Sequence, residues 1–527
     1  MKFRHVVGGI LLTIVSFSSF GGVHDSTTFL LRSSSDIKMA PLPSEDDSPI
    51  LKAMSLYGDS KTMMGFSWSS VNPVDSNLEV IEASIGDFSS SEVKKFIGSV
   101  EKSPADNSLF LHRATATGLK AGTKYLYRYG DTELENYCET GSFVTSKENE
   151  SKLNFVHLSD PQGWEKEHYE GYASLLNIVK NEISPSFLLN TGDIVNNDWA
   201  GHQPSLEQWK WALDDCFDEL KDMPVAAVAG NHEAADYDFS SRFNFARPAS
   251  DNGQSGTYYS FDYGPAHFTA INTNDTTKTS PGSGLGEEQL TWIKSDLESS
   301  KSSKWKFVFL HKGLFDAGAH CSNLAEDNDY DIPFIREQLA PLFTEYGIDI
   351  VFQGHDHLYS RSKPTVGLIN NGATSYTVDT SYILKEEETD AVLVSMYSNL
   401  EGQIYLNSGS ASGSKYYETV QYDGEIIHIE KAENIASKMF TGIEINGDKL
   451  IATTYAVRNN QKEIYSSFGI DKTLSDDPVV PGPVPETNPN SSLPLYVYFL
   501  IGGGALLLVA GGVVLFIYLR KKVTKHG

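Results

Sequence analysis

Cysteine is almost missing from this chain, which carries only Cys138, Cys216 and Cys321 in 527 residues. Three thiols make no disulfide framework, although an exported chain could join two and leave one over. No CxxC pair occurs, which excludes a cysteine-based zinc clamp. Positive charge is also scarce: 42 Lys and Arg against 69 Asp and Glu leave a net −27. Such a surface repels a phosphate backbone and excludes nucleic acid as a partner. Any phosphate-bearing substrate meets the same repulsion, so its site needs local positive charge.

Long apolar runs occur only near the two ends. Lys2 and Arg4 precede an apolar run from Val6 to Phe20, followed by Gly21 and Gly22. Residues 1–22 therefore read as a secretory signal, with an uncleaved anchor as the alternative. From Leu495 to Leu519 no residue is charged, and a helix of that length crosses roughly 30 Å of hydrocarbon. Tyr496, Tyr498 and Tyr518 sit near its ends, and Arg520, Lys521, Lys522 and Lys525 follow, marking 520–527 as a cytosolic tail. A single-pass type I membrane protein is expected, its body at the cell surface or in an endomembrane or lysosome-like lumen. Gly502, Gly503, Gly504, Gly511 and Gly512 would let two such helices approach as a homodimer. Acceptor sequons at Asn149, Asn274 and Asn490 suit an exported glycoprotein.

Between these ends two grammars follow one another. Residues 49–147 alternate apolar and polar positions in short segments, as in Thr62–Trp68 and Lys124–Tyr129, which predicts a β-sandwich. Residues 152–473 alternate strands with helices. Apolar strands at Leu153–Leu158, Phe187–Leu189, Val225–Ala229, Lys306–Leu310 and Ile348–Phe352 each run into polar residues. That is a layered α/β fold with its site at the carboxyl edge. The acidic stretch Lys385–Asp390 reads as part of a surface insertion. Residues 475–492, rich in Pro, Asp and Asn, read as an extended stalk.

The strand ends carry the chemistry. In order they supply Asp160-Pro-Gln162, Gly192-Asp193, Gly230-Asn231-His232-Glu233, His311 and Gly354-His355-Asp356-His357. Carboxylate and amide oxygens with imidazole nitrogens suit iron, manganese or zinc. A carboxylate shared by two ions would hold them roughly 3.5–4 Å apart, so that a shared water attacks phosphorus in line. Alone each piece is ordinary: Gly-Asp commonly ends a strand, and Asn-His can cap a helix. The ordered set is specific.

That set resembles the calcineurin-like metallophosphoesterase superfamily. The module before it, with Gly118-Leu-Lys-Ala-Gly-Thr-Lys-Tyr125, is similar to the fibronectin-type-III-like domain preceding purple acid phosphatases. Tyr258–Gly264, His267-Phe268 and Gly409-Ser-Ala-Ser-Gly-Ser-Lys415 look like the supporting strands and loop. The resemblance implies a four-layer α/β/β/α catalytic domain after the sandwich. It also implies a dinuclear centre with a metal-bound hydroxide as nucleophile. One ion would be held by Asp160, Asp193 and His357, the other by Asp193, Asn231, His311 and His355. Asp193 would bridge the ions, and His232 would meet the phosphoryl group as charge stabiliser or proton donor.

Two positions depart from the pattern. Gln162 stands where relatives carry histidine or glycine, and Asn196 where purple phosphatases place a tyrosine ligand. Without that phenolate the protein should not be purple, and the metal pair stays open among Fe, Zn and Mn. Gln162 and Asn196 each offer a neutral oxygen, either to a metal or to hydrogen bonds behind it. His202, His320, Tyr359 and Arg361 follow the site motifs and are substrate-binding candidates. Cys321 has no base placed to activate it. The expected activity is hydrolysis of phosphate monoesters, small molecules or phosphoproteins. Phosphodiester cleavage and a non-catalytic surface receptor or adhesion role are the alternatives; the intact ligand set weighs against the last.

Overall fold

The computed structural model describes residues 47–133, 135–197, 205–233, 237–246, 258–277, 283–321, 330–389, 392–420 and 428–473. The expected signal segment, stalk, membrane helix and tail lie outside these. Among the described residues no helix is long and apolar enough to cross a membrane.

Two large sheets lie face to face, with aromatic side chains between them. Phe155 and Phe187 of the first stack at 5.2 Å, and Phe155 meets Phe268 and Phe352 of the second at 5.2 and 5.7 Å. Strands buried on both faces need continuous apolar runs, which is why Leu188–Asn190 and Val225–Ala227 show no alternation. The second sheet carries parallel strands Ala266–Ala270, Trp305–Lys312, Ile350–Gly354 and Ile404–Ser408. Its outer face is covered by helices Glu287–Ser299 and Ile332–Tyr346, through Ile293, Leu297, Ile335, Leu339 and Phe343. Helix Lys166–Ile178 buries Tyr169, Tyr172, Leu175 and Leu176 in the main core. The second helix ends at Gly347 (φ 64°), a left-handed cap that glycine adopts without Cβ strain.

The N-terminal module is a sandwich, but not a separate one. Strands Ile50–Ser55, Met64–Ser70, Phe110–Ala116 and Ser99–Lys102 continue the first sheet beyond Val225–Ala227, making twelve strands in all. The seam is narrow: Ser55 pairs with Val225, and Leu56 N–H donates to the Val225 carbonyl at 3.1 Å. Side chains reinforce it, with Ser67 Oγ donating to the Arg242 carbonyl and Tyr127 Oη to that of Lys221. Phe66, Trp68, Tyr127, Tyr129 and Phe143 fill the sandwich core.

The acidic stretch departs from expectation. Ile383–Thr389 is a strand paired with Val392–Ser398, and this hairpin extends the twelve-stranded sheet at its far edge. Its glutamates are solvated, as polarity alone indicated, yet its backbone is part of the sheet. All three cysteines are free and buried. Asn274 donates its amide to the Ala229 and Gly230 carbonyls, both at 3.1 Å, so a glycan there would disrupt the site loop.

Candidate metal centre

Parallel strands bring the polar residues together. Lys152–Leu158, Leu188–Asn190 and Val225–Ala227 run parallel, so Asp160, Asp193 and Asn231 leave the first sheet at one edge. Trp305–Lys312 and Ile350–Gly354 do the same in the second sheet with His311, His355 and His357. The turns are sharp: Asp160, Asp193 and His355 have φ of 51°, 51° and 77°. Non-glycine residues hold that conformation only where surrounding structure compels it, and such positions cluster at functional sites. Gly230 is required by contact, because a Cβ there would lie 1.9 Å from Asp193 Oδ1.

Asp193 belongs to two triads at once. Asp193, His311 and His355 form one, and Asp160, Asp193 and His357 the other. Within each, the ligand-type atoms lie within 4.8 Å of one another, and every member is buried. His311 Nδ1 donates to the Thr191 carbonyl at 2.8 Å, which turns Nε2 toward Asn231 Oδ1 (2.9 Å) and Asp193 Oδ2 (3.3 Å). His357 Nε2 lies 3.3 Å from Asp160 Oδ1.

Electrostatics fit a cation-holding site. Burial pushes His357 down to about 3, with Lys415 adding to the effect, and burial holds His355 well below the usual range. Both imidazoles are therefore neutral, the form that binds metals. Burial lifts the Asp193 carboxyl, but His311, His232 and His355 outweigh it and hold the group well below the usual range. Burial opposes charge on His311, yet Asp193 and Asp160 raise it to about 9. The Asp193 carboxylate thus demands positive charge at the centre, while burial lifts Asp160 to about 7. Two carboxylates, an amide oxygen and neutral imidazoles suit borderline or hard divalent ions, so the residues present fit the expected metals.

Supporting contacts position this set. Glu233 accepts from the backbone N–H of Gly230 (2.8 Å), Val195 (2.8 Å) and Asp193 (3.2 Å), tying the Asp193 loop to its own. His232 Nδ1 donates to the Asn196 carbonyl at 3.0 Å, and its Nε2 lies 3.8 Å from Asp193 Oδ2, at the mouth of the centre.

The two departures turn out to be one arrangement. The Lys415 ammonium donates to Gln162 Oε1 at 2.9 Å and to Asn196 Oδ1 at 2.5 Å. Gln162 Nε2 in turn donates to Asp193 Oδ2 at 2.8 Å and faces His357 Nε2 at 3.1 Å. Lys415 also lies 4.9 Å from the centre of the Trp164 ring. Sequence reasoning placed Lys415 at the end of a supporting loop and missed its role. The available signal was that an acidic chain needs a local cation, and this loop ends in one. Tyr417 from the same segment was missed too, and its ring centre lies 4.6 Å from that of His357.

The substrate candidates divide. The His320 ring lies 4.2 Å from His355 and 5.5 Å from Tyr417, beside the triads. Arg361 needs correction: its guanidinium packs 4.8 Å from Phe468 and 6.0 Å from Tyr397, between the sheets. Successive strand residues face opposite ways, and this position faces the first sheet. Tyr359 shares that face, with its ring 5.0 Å from Tyr465. His202 lies outside the described residues. Burial pushes the Cys321 thiol up to about 11, which leaves it no nucleophile.

Comparison with known proteins agrees with this geometry. Residues 153–359 match the calcineurin-like phosphoesterase family, and residues 53–145 match the purple acid phosphatase N-terminal domain. Acid phosphatase type 7 of Mus musculus is 24% identical over 319 residues, covering 58% of this chain and 64% of its own. Purple acid phosphatase 23 of Arabidopsis thaliana is 25% identical over 309 residues, covering 51% and 59%. The chain thus spans less than two thirds of the length of either relative. A solved purple acid phosphatase from yellow lupin (Lupinus luteus) seeds shares the fold, with a TM-score of 0.60 at 15% identity over 81% of this chain and 75% of that one. The chain thus carries a region similar to the calcineurin-like phosphoesterase family behind one similar to the purple acid phosphatase N-terminal domain, in the fold of a purple acid phosphatase.

Proposed function

We propose that this protein is a metal-dependent phosphate-ester hydrolase acting on phosphate monoesters through a two-ion centre. The observation that carries the proposal is Asp193, a carboxylate shared by two buried triads. Asp160 and His357 would hold one ion, and Asn231, His311 and His355 the other. When bound, the pair supplies Lewis acidity and a water acidic enough to attack phosphorus at neutral pH.

The remaining work falls to the chain's own side chains. His232, oriented by the Asn196 carbonyl, presents Nε2 toward the mouth; as an imidazolium, a form its burial disfavours and acidic pH restores, it can bind a phosphoryl oxygen or donate a proton to the departing alkoxide. Lys415 supplies the local positive charge that a protein of net −27 needs to admit a phosphate ester. Glu233 keeps the Asp193 turn in place.

The sequence supports placing this centre outside the cytosol. An apolar run at 495–519 followed by Arg520, Lys521, Lys522 and Lys525 is the pattern of a single-pass anchor with a cytosolic tail.

Hydrolysis of an aryl phosphate monoester and a matching diester tests the activity, before and after chelation and with Asp193→Asn. Chelator-sensitive monoester cleavage that falls more than about 10³-fold in Asp193→Asn is expected. A preference for the diester would move the assignment to phosphodiester cleavage. Inactivity with every divalent ion tried would leave the surface-receptor alternative standing.

A further inference from the structure

The five donors around Asp193 are not arranged symmetrically. On the side of His311, Asn231 Oδ1, His311 Nε2 and Asp193 Oδ2 converge, each within 2.9–3.3 Å of a neighbour in the set. On the side of His357 the equivalent space is approached by an N–H group, that of Gln162. Its orientation follows from chemistry. An ammonium can only donate, so the Gln162 atom facing Lys415 must be oxygen, and the amide nitrogen must face Asp193 and His357.

The clamp on Gln162 is extensive. Ser412 Oγ donates to the Gln162 carbonyl at 3.2 Å, and Ser414 Oγ donates to it as well. Ser410 Oγ donates to the Asp160 carbonyl at 3.0 Å, and Ala411 N–H to that of Ser159 at 2.9 Å. The Gly409–Lys415 loop therefore grips residues 159–162 along their backbone and sets the side chain of Gln162 with its last residue. Gln162 is fully buried, so it has no alternative partner in water.

We infer that the two ion positions are unequal by construction: the Asp193–Asn231–His311–His355 position binds a divalent ion tightly, and the Asp160–Asp193–His357 position binds one weakly because Lys415 and Gln162 compete with it. Resting on the two-ion proposal above, this adds which position limits loading and which residues limit it. For an ion to gain Gln162 Oε1, the amide must turn its NH₂ toward the ammonium, losing one charge-assisted hydrogen bond and creating a donor–donor clash. If the amide stays, its N–H occupies the lone pairs of Asp193 and His357. In both cases a fixed positive charge stands beside the entering cation.

The test uses the full-length chain, stripped by chelation and titrated with Mn²⁺ and separately Zn²⁺ by calorimetry, with direct metal analysis of each state. Two binding steps separated by about 100-fold or more are expected, the scale of outer contacts on metal affinity. Lys415→Met should tighten the weaker step about tenfold or more and leave the tighter one unchanged, which also reports that the variant is folded. Lys415→Arg keeps the charge and should retain the separation. Two equal steps in the natural protein would overturn the inference, as would Lys415→Met shifting both steps alike or neither. No binding step at all in the folded protein would instead overturn the two-ion proposal on which it rests.

Discussion

The His311 half and the His357 half of the centre share Asp193 but are built differently, and the difference shows where chemistry is legible. The His311 half is made of residues at or just past the ends of strands of the two sheets. The His311 ring is oriented by a neighbouring main chain, its Nδ1 donating to the Thr191 carbonyl. The His357 half depends on a loop some 250 residues away in sequence, whose Lys415 sets the amide of Gln162. The first half is a direct product of the fold's topology. The second is tuned by a tertiary contact that the topology permits without requiring.

Unequal halves predict unequal damage. His311→Ala should lower kcat/KM for a monoester by more than about 10³-fold, and added Mn²⁺ or Zn²⁺ should not restore it. His357→Ala should cost less and recover partly at high ion concentration, as a weakly held ion at that position requires. Equal losses with equal recovery would show that the halves are equivalent.

Glu233→Gln probes what supports both halves together. Its carboxylate accepts three backbone N–H groups around Asp193, and burial, reinforced by Asp193, raises its pKa well above the usual carboxylate range. The amide retains one acceptor oxygen, so the expected loss is about 10–100-fold in activity and ion affinity, falling on both binding steps alike. A loss confined to one step would show that Glu233 belongs to one half only.

The smallest expected effect lies outside the centre and serves as its control. His267 sits between Asp262 Oδ1 (2.8 Å) and Asp296 Oδ2 (3.1 Å). Burial alone would lower its pKa, but the two carboxylates raise it to about 9. A folded pKa above the unfolded value near 6.5 gives stability that is fully present below about pH 6.5 and is lost as pH rises toward 9. Denaturant midpoints of the natural protein and His267→Gln should therefore differ by on the order of 2 kcal/mol at pH 6 and converge above pH 9, with ion binding at the centre unchanged. A difference that persists at high pH would assign His267 a packing role.

Much of the centre could be read along the chain because its residues fall at strand ends. Apolar runs such as Leu153–Leu158 and Lys306–Leu310 became parallel strands, and parallel neighbours deliver their carboxyl ends to one edge. Arg361 and Tyr359 could not be placed that way. A shift of one residue along a strand reverses the face, and nothing local reports which face meets the site. The acidic Lys385–Asp390 stretch failed for a related reason: an edge strand keeps one row of groups in water, so its polarity resembles that of a loop.

By itself, then, the sequence determined the two-domain order, the strand-end ligand set and the absence of a tyrosine beside Asp193. These follow from local periodicity and from residue types at short spacings. Tertiary structure alone decided that the sandwich continues the catalytic sheet through Ser55 and Val225, and that Gln162, Asn196 and Lys415 form one unit. Both depend on pairings across roughly 170 to 250 residues, where loop closure leaves many partners open and only packing of the whole core selects among them.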